Sequence, residues 1–197
     1  MKRILLTGFE PFHEYKINSS WSLVDSFENT ISDLECIKLR LPVEFKAVSN
    51  LVPEMLKQYQ PDIVIAFGQS ANNSIRIERV ALNLDDARTA DNSGYTPIDE
   101  PIHADGKNAY FSSLPIKAIQ HAVAAKNIPA IISNSAGTYV CNHLFYELLY
   151  WSDKLSLPTK IGFLHLPRLP EQVIGTQNPS MPLSQMQIAL QEIIKIL

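Results

Sequence analysis

The sequence predicts a three-layer α/β/α domain on a mostly parallel sheet. Short apolar, β-branched runs alternate with amphipathic stretches, and several of those runs stop at Gly or Pro followed by a polar loop. At 197 residues, 46% hydrophobic and 19% charged, residues 1–197 suit one domain with a substantial core.

Residues 3–7 are a continuous apolar run stopped by Gly8 and Pro11. They read as a first strand and not a leader, since no small-residue cleavage site follows. The next loop carries Phe9 and Phe12. These either fold back into the core or wall a pocket at the C-terminal edge of the sheet, where open α/β folds bind ligands. Asn18-Ser-Ser-Trp offers capping residues for a helix through Trp21, Leu23, Val24 and Phe27. Residues 34–41 read as a strand closed by Pro42, and 45–59 as a helix that Pro53 kinks or restarts. Residues 62–67 are the clearest buried strand, followed by a second candidate ligand loop over 68–74.

Residues 74–84 alternate apolar and polar with one slip between Ile77 and Val80, which predicts a bulged ribbon. Glu78 lies in that slip between Arg76 and Arg79, where a solvated carboxylate is the ordinary reading. Residues 85–109 are rich in Asp, Asn, Gly, Pro and Ser. Irregular loops of that length inside a domain are usually functional or mobile. Residues 114–125 predict an amphipathic helix with Pro115 at its start, 129–134 a short buried strand, and 144–151 a core helix. A strand over 160–166, ended by Pro167, and a closing helix over 184–197 complete the order.

Cys141 stands where a strand hands over to a helix. There the unpaired N–H groups and the positive end of the helix dipole favour a thiolate. Taken alone, it is more simply a small buried hydrophobe. His165 sits near a strand end, placed for a site and equally readable as a core histidine. His13, His103, His121 and His143 show no metal-ligand spacing, and no metal or cofactor is expected. The chain has no GxGxxG, GxxxxGK[ST] or GxSxG motif. A formal charge of −3 without a Lys/Arg cluster gives nucleic acid and membrane surfaces no electrostatic footprint. No run approaches the about 18 apolar residues of a membrane span. Two cysteines, Cys36 and Cys141, make no disulfide framework and fit a reducing cytoplasm.

A nucleophile, a base and a carboxylate that orients it are what thiol hydrolysis requires. The motifs that unite them are Thr7-Gly-Phe-Glu-Pro-Phe12, Glu78-Arg-Val-Ala-Leu-Asn83, Asp86-Ala-Arg88, Asp91-Asn92, Leu114-Pro-Ile-Lys117, Ser135-Ala-Gly-Thr-Tyr-Val-Cys-Asn-His143, and His165-Leu-Pro with Pro170-Glu-Gln172. In that order they resemble the pyroglutamyl peptidase I family of cysteine peptidases. The resemblance implies an exopeptidase that removes N-terminal pyroglutamyl residues from peptides without a metal. By motif, Cys141 would be the nucleophile, His165 the general base and acid, and Glu78 the residue that orients it. Arg88 would support the oxyanion beside the backbone N–H of Cys141. Phe9, Phe12, Gln69, Tyr139 and Val140 would line the pocket, whose ligand is a neutral lactam. The family's α/β/α fold and its frequent tetramer are implied as well.

This sequence also departs from the family pattern. His13-Glu14 replaces a usual Gly pair, Asn18-Ser-Ser-Trp lacks a usual proline, and Arg168 stands where an aromatic residue is usual. Two other readings stay open on sequence alone: a thiol hydrolase for a different blocked amide, and a binding protein without turnover.

Overall fold

The computed structural model describes residues 1–28 and 34–197. Along the chain it forms β1 (Lys2–Phe9), α1 (Ser19–Ser26), β2 (Leu34–Leu41), α2 (Phe45–Tyr59), β3 (Ile63–Gln69), β4 (Ile75–Glu78) and β5 (Val80–Leu82). Then follow β6 (Ala109–Phe111), α3 (Ile116–Ala124), β7 (Ala130–Ser133), α4 (Val140–Lys154), β8 (Lys160–Leu166) and α5 (Leu183–Lys195). Six strands make the main sheet in the order β2-β1-β3-β8-β4-β7, and β5 pairs with β6 in a separate ribbon. β1, β2, β3 and β8 run parallel, whereas β4 runs against β8 and parallel to β7.

Side-chain alternation decides which layer each helix joins, because successive residues of a strand face opposite sides. Ile4 and Leu6, then Ile63, Ile65 and Phe67, then Leu164 and Leu166 pack with residues of α1, α3 and α5. Leu5, Val64, Ala66, Ile161 and Phe163 pack on the other side with α2 and α4. Burial on both faces is why these strands read as continuous apolar runs.

Two local devices set the helices. Asn18 caps α1, its side chain accepting from the Ser20 N–H. Gly8 lets α1 lie on β1, since a Cβ there would stand 2.7 Å from backbone atoms of Ser20 and Trp21. α2 has no side-chain cap from its own N-cap residue; instead Asp91, far along the chain, accepts from the Phe45 N–H at 3.0 Å. Pro53 lies inside α2 without ending it.

Three expectations need correction. Residues 74–84 are not one bulged ribbon, because the chain changes sheet at Arg79. Its N–H donates to Ser133 of the main sheet, and its carbonyl accepts from Ser112, next to β6. Glu78 is not a solvated carboxylate: it is 0% exposed. The strand expected over 129–134 exists as β7 but is the outermost strand, so Ile131 is 41% exposed.

The long irregular loop is docked and hydrogen-bonded. Asp85 and Glu100 exchange two backbone hydrogen bonds across its neck. Asn142 holds Leu82 and Leu84, while Thr138 and Tyr139 donate through their hydroxyls to the carbonyls of Asp86 and Ala90. The loop is therefore tied to the residues just before and within the start of α4.

Candidate active site

β1 leads to β2 on one side, and β3 lies on its other side. The crevice at the C-terminal ends of β1 and β3 is thus a point of reversed strand order, where open α/β sheets hold ligands. Phe9 ends β1 and Gln69 ends β3. Both line a cavity there, with Phe12, Tyr139, Val140 and Cys141. All five pocket residues expected from the sequence are therefore gathered in one place. Asn18 and Val43 line it too and were missed. Asn18 is legible in sequence only as a helix cap, and Val43 only as the residue after a strand-ending proline. The eight lining residues carry no charged side chain. The Gln69 side-chain carbonyl is already occupied, accepting from the Ser19 N–H at 2.9 Å, which leaves its NH₂ as the donor.

Cys141 is the second residue of α4, after the N-cap Tyr139. The first N–H groups of a helix lack intrahelical partners, and the dipole's positive end lies there. The thiol rests above Gly68, since a Cβ at Gly68 would stand 2.7 Å from the sulfur and 2.9 Å from the Phe163 ring. Gly68 is the register partner of His165 on the adjacent strand β8. This pairing brings sulfur and imidazole side by side from elements remote in sequence.

His165 and Glu78 lie on the α4 face of the sheet by the same alternation. Ile75 and Ile77 of β4 pack on the opposite face, so Arg76 and Glu78 turn toward α4. In the antiparallel pair Glu78 stands opposite Phe163, diagonal to His165. That diagonal is within reach of long side chains. His165 Nδ1 and Glu78 Oε1 are 2.8 Å apart, both residues buried. Burial is the largest single influence on the His165 imidazole and pushes it down. The neighbouring Cys141 charge and hydrogen bonding, with the Glu78 carboxylate, outweigh it and raise the pKa to about 9. The protonated form of His165 is therefore favoured near neutral pH.

Arg88 is exposed on the docked loop and makes no ion pair among the described residues. Its neighbours Asp86 and Ala90 are the residues bound by Thr138 and Tyr139, next to the start of α4.

A second buried cluster was not anticipated. His143 Nδ1 lies 2.7 Å from Asp85 Oδ2, and its Nε2 lies 2.8 Å from Ser49 Oγ and 3.6 Å from Glu147 Oε1. Glu147 in turn meets His103 Nε2 at 3.0 Å, and the His103 ring stacks on Tyr150 at 3.7 Å. Burial pushes the Asp85 carboxyl up, against the pull of His143. Among the described residues no group of His, Cys, Asp and Glu is arranged to hold a metal ion.

A thiol able to pass its proton to an imidazole held by a carboxylate is equipped for acyl transfer through sulfur. Fold and site together define a cysteine-type peptidase, a hydrolase. The family model for pyroglutamyl peptidase matches residues 2–197, and the chain belongs to that family. It is 48% identical over 195 residues to the pyrrolidone-carboxylate peptidase of Brachyspira hyodysenteriae, covering 98% of this chain and 97% of that one. It is also 48% identical over 184 residues to the pyrrolidone-carboxylate peptidase of Staphylococcus aureus, covering 92% and 87%. The solved pyrrolidone carboxyl peptidase of Thermococcus litoralis superposes with a TM-score of 0.95 at 37% identity, covering 100% and 93%. Pyroglutamyl peptidase I of Bacillus amyloliquefaciens gives 0.93 at 37%, covering 98% and 95%.

Proposed function

We propose that this chain hydrolyses the amide bond that follows an N-terminal pyroglutamyl residue, with Cys141 as nucleophile, His165 as general base and acid, and Glu78 orienting His165. The observation that carries this reading is the 2.8 Å Glu78–His165 pair beside a thiol that opens into an uncharged pocket. His165 takes the thiol proton and the sulfur attacks the pyroglutamyl carbonyl. The tetrahedral oxyanion then collapses, breaking the C–N bond while His165 gives its proton to the departing amine. Water, deprotonated by His165, attacks the thioester and releases pyroglutamate and the free thiol.

The oxyanion is held by the Cys141 N–H at the start of α4, with the Arg88 guanidinium as a second donor from the docked loop. The lactam ring lies between Phe9, Phe12, Tyr139 and Val140, and the Gln69 amide supplies a hydrogen bond. A neutral ring needs no counter-ion, and the pocket offers none.

We further assign residues 1–197 to one peptidase domain that works in the cytoplasm on peptides with N-terminal pyroglutamate, without metal or cofactor. Its free cysteines suit a reducing compartment, and no helix among the described residues is long and apolar enough to cross a membrane. The solvent-exposed Ile98, Phe111 and Ile174 are apolar surface of the kind a homotetramer covers. Light scattering of the purified protein tests the assembly.

The activity test is hydrolysis of pyroglutamyl-aminomethylcoumarin by the reduced protein. Turnover is expected, with iodoacetamide and Cys141→Ala each lowering it by about 10³-fold or more. Full turnover by folded Cys141→Ala removes the thiol mechanism.

A further inference from the structure

We propose that the depression on the outer side of Phe12 is the subsite for the residue that follows pyroglutamate, and that Arg168 makes it favour an acidic side chain there. This inference rests on the pyroglutamyl-peptidase reading and names which peptides the site prefers.

Two cavities share Phe12 as a wall. One holds Phe9, Gln69 and Cys141; the other is lined by Phe12, His13, Glu14, Tyr15 and Arg168. With the lactam ring against Phe12 and its carbonyl at the Cys141 sulfur, the leaving nitrogen must lie on the His165 side, because His165 supplies its proton. The peptide therefore departs past the end of β8. Arg168 is three residues beyond His165, and at about 3.3 Å per extended residue its Cα lies within roughly 10 Å of the base. Arg168 lines the depression beside Phe12.

Arg168 is anchored for such a role. Its carbonyl accepts from the Met181 N–H at 2.9 Å, and it pairs with Ser180 in an isolated parallel bridge. The half-buried guanidinium lies over the Tyr15 ring, 5.4 Å from its centroid. Among the described residues it makes no side-chain hydrogen bond and no ion pair, so its N–H donors are unspent. Besides the Tyr15 phenol, the other charged or titratable groups of the depression are His13 and Glu14, exposed on the facing loop, and Glu14 forms no ion pair with Arg168. A fixed guanidinium with free donors recognises a carboxylate.

The test measures kcat/KM for pyroglutamyl peptides that differ only at the second residue, Glu, Ala or Lys, at low and at high salt. Each rate is divided by the same variant's rate on pyroglutamyl-aminomethylcoumarin, so a general loss of activity or folding cancels. The unsubstituted protein is expected to favour Glu over Lys by roughly 3- to 10-fold, less at high salt. Arg168→Ala should bring that ratio close to one, Arg168→Glu should invert it, and Arg168→Lys should keep part of it. Equal rates for Glu and Lys, or a preference that survives Arg168→Ala, overturns the inference. No turnover of the coumarin amide by the folded, unsubstituted protein instead overturns the reading beneath it.

Discussion

His165 and His143 are both buried on the α4 side of the sheet, and each has a carboxylate within 2.8 Å of its Nδ1. They differ in what the rest of the ring meets. His165 faces a half-buried thiol at the rim of an open pocket. His143 Nε2 is closed off by the Ser49 hydroxyl between α2 and α4, with a second carboxylate, Glu147, close by and the Phe45 ring edge-on at 5.4 Å. Serine, histidine and aspartate there stand at 2.8 and 2.7 Å, in the order of a hydrolytic triad. The contrast teaches that a carboxylate can hold a buried histidine in either setting, and that of these two only His165 also meets a thiol. His143 acts as a fastener: Asp85 opens the long docked loop, so the pair ties that loop to the helix carrying Cys141.

The largest effect expected in this comparison is from Glu78→Gln, which keeps the shape of the orienting group and removes its charge. It should lower kcat by about 10²- to 10⁴-fold. It should also move the alkaline limb of the pH profile. His165 has its pKa raised to about 9, so its proton is available to the leaving amine below that pH and lost above it. Activity should therefore fall as pH rises through about 9, and in Glu78→Gln the fall should begin at lower pH. An unmoved limb would separate Glu78 from His165.

Gly68→Ala should come next. Its Cβ meets the Cys141 sulfur and the Phe163 ring, so the thiol must shift, and kcat/KM should drop by about 10²-fold. Thermal melting and iodoacetamide labelling rates then tell a displaced thiol from a loosened fold.

The smallest effect on turnover is expected from His143→Ala, with the larger effect on stability. Asp85 and Glu147 would be left buried without the imidazole between them, at a cost of about 3–5 kcal/mol. The melting temperature should fall by roughly 10 °C, with kcat/KM kept within about tenfold where the protein is folded. A loss as deep as that of Glu78→Gln at an unchanged melting temperature would break the comparison and make His143 a second catalytic group.

Local pattern was enough for the elements that alternate simply or carry their own caps. Residues 34–41 and 160–166 are strands with the expected bounds, and Asn18 caps the helix it was read to cap. Pattern fails where the deciding partner is remote. A slip at Arg79 looks the same in sequence whether the chain bulges or changes sheet, and only its bonds to Ser133 and Ser112 distinguish them. Glu78, flanked by two arginines, reads as surface until β4 is seen wedged between β8 and β7. The grouping of Cys141 with His165 and Glu78, and of the residues around the cavity, is legible through motif resemblance, not spacing, because Glu78 and His165 are 87 residues apart. The His143 cluster had no such signal: its partners Ser49 and Asp85 are 94 and 58 residues away.

The uncharged lining of the ring pocket has a consequence for competition. Ordinary peptides present an ammonium at their first residue through most of the physiological range. In this pocket it would be stripped of water and given no counter-ion, at a cost of several kcal/mol, and each 1.4 kcal/mol is tenfold in occupancy. Unblocked peptides in large excess would thus leave the site vacant and cause little inhibition. The enzyme's throughput would follow the concentration of blocked chains and not the total peptide load.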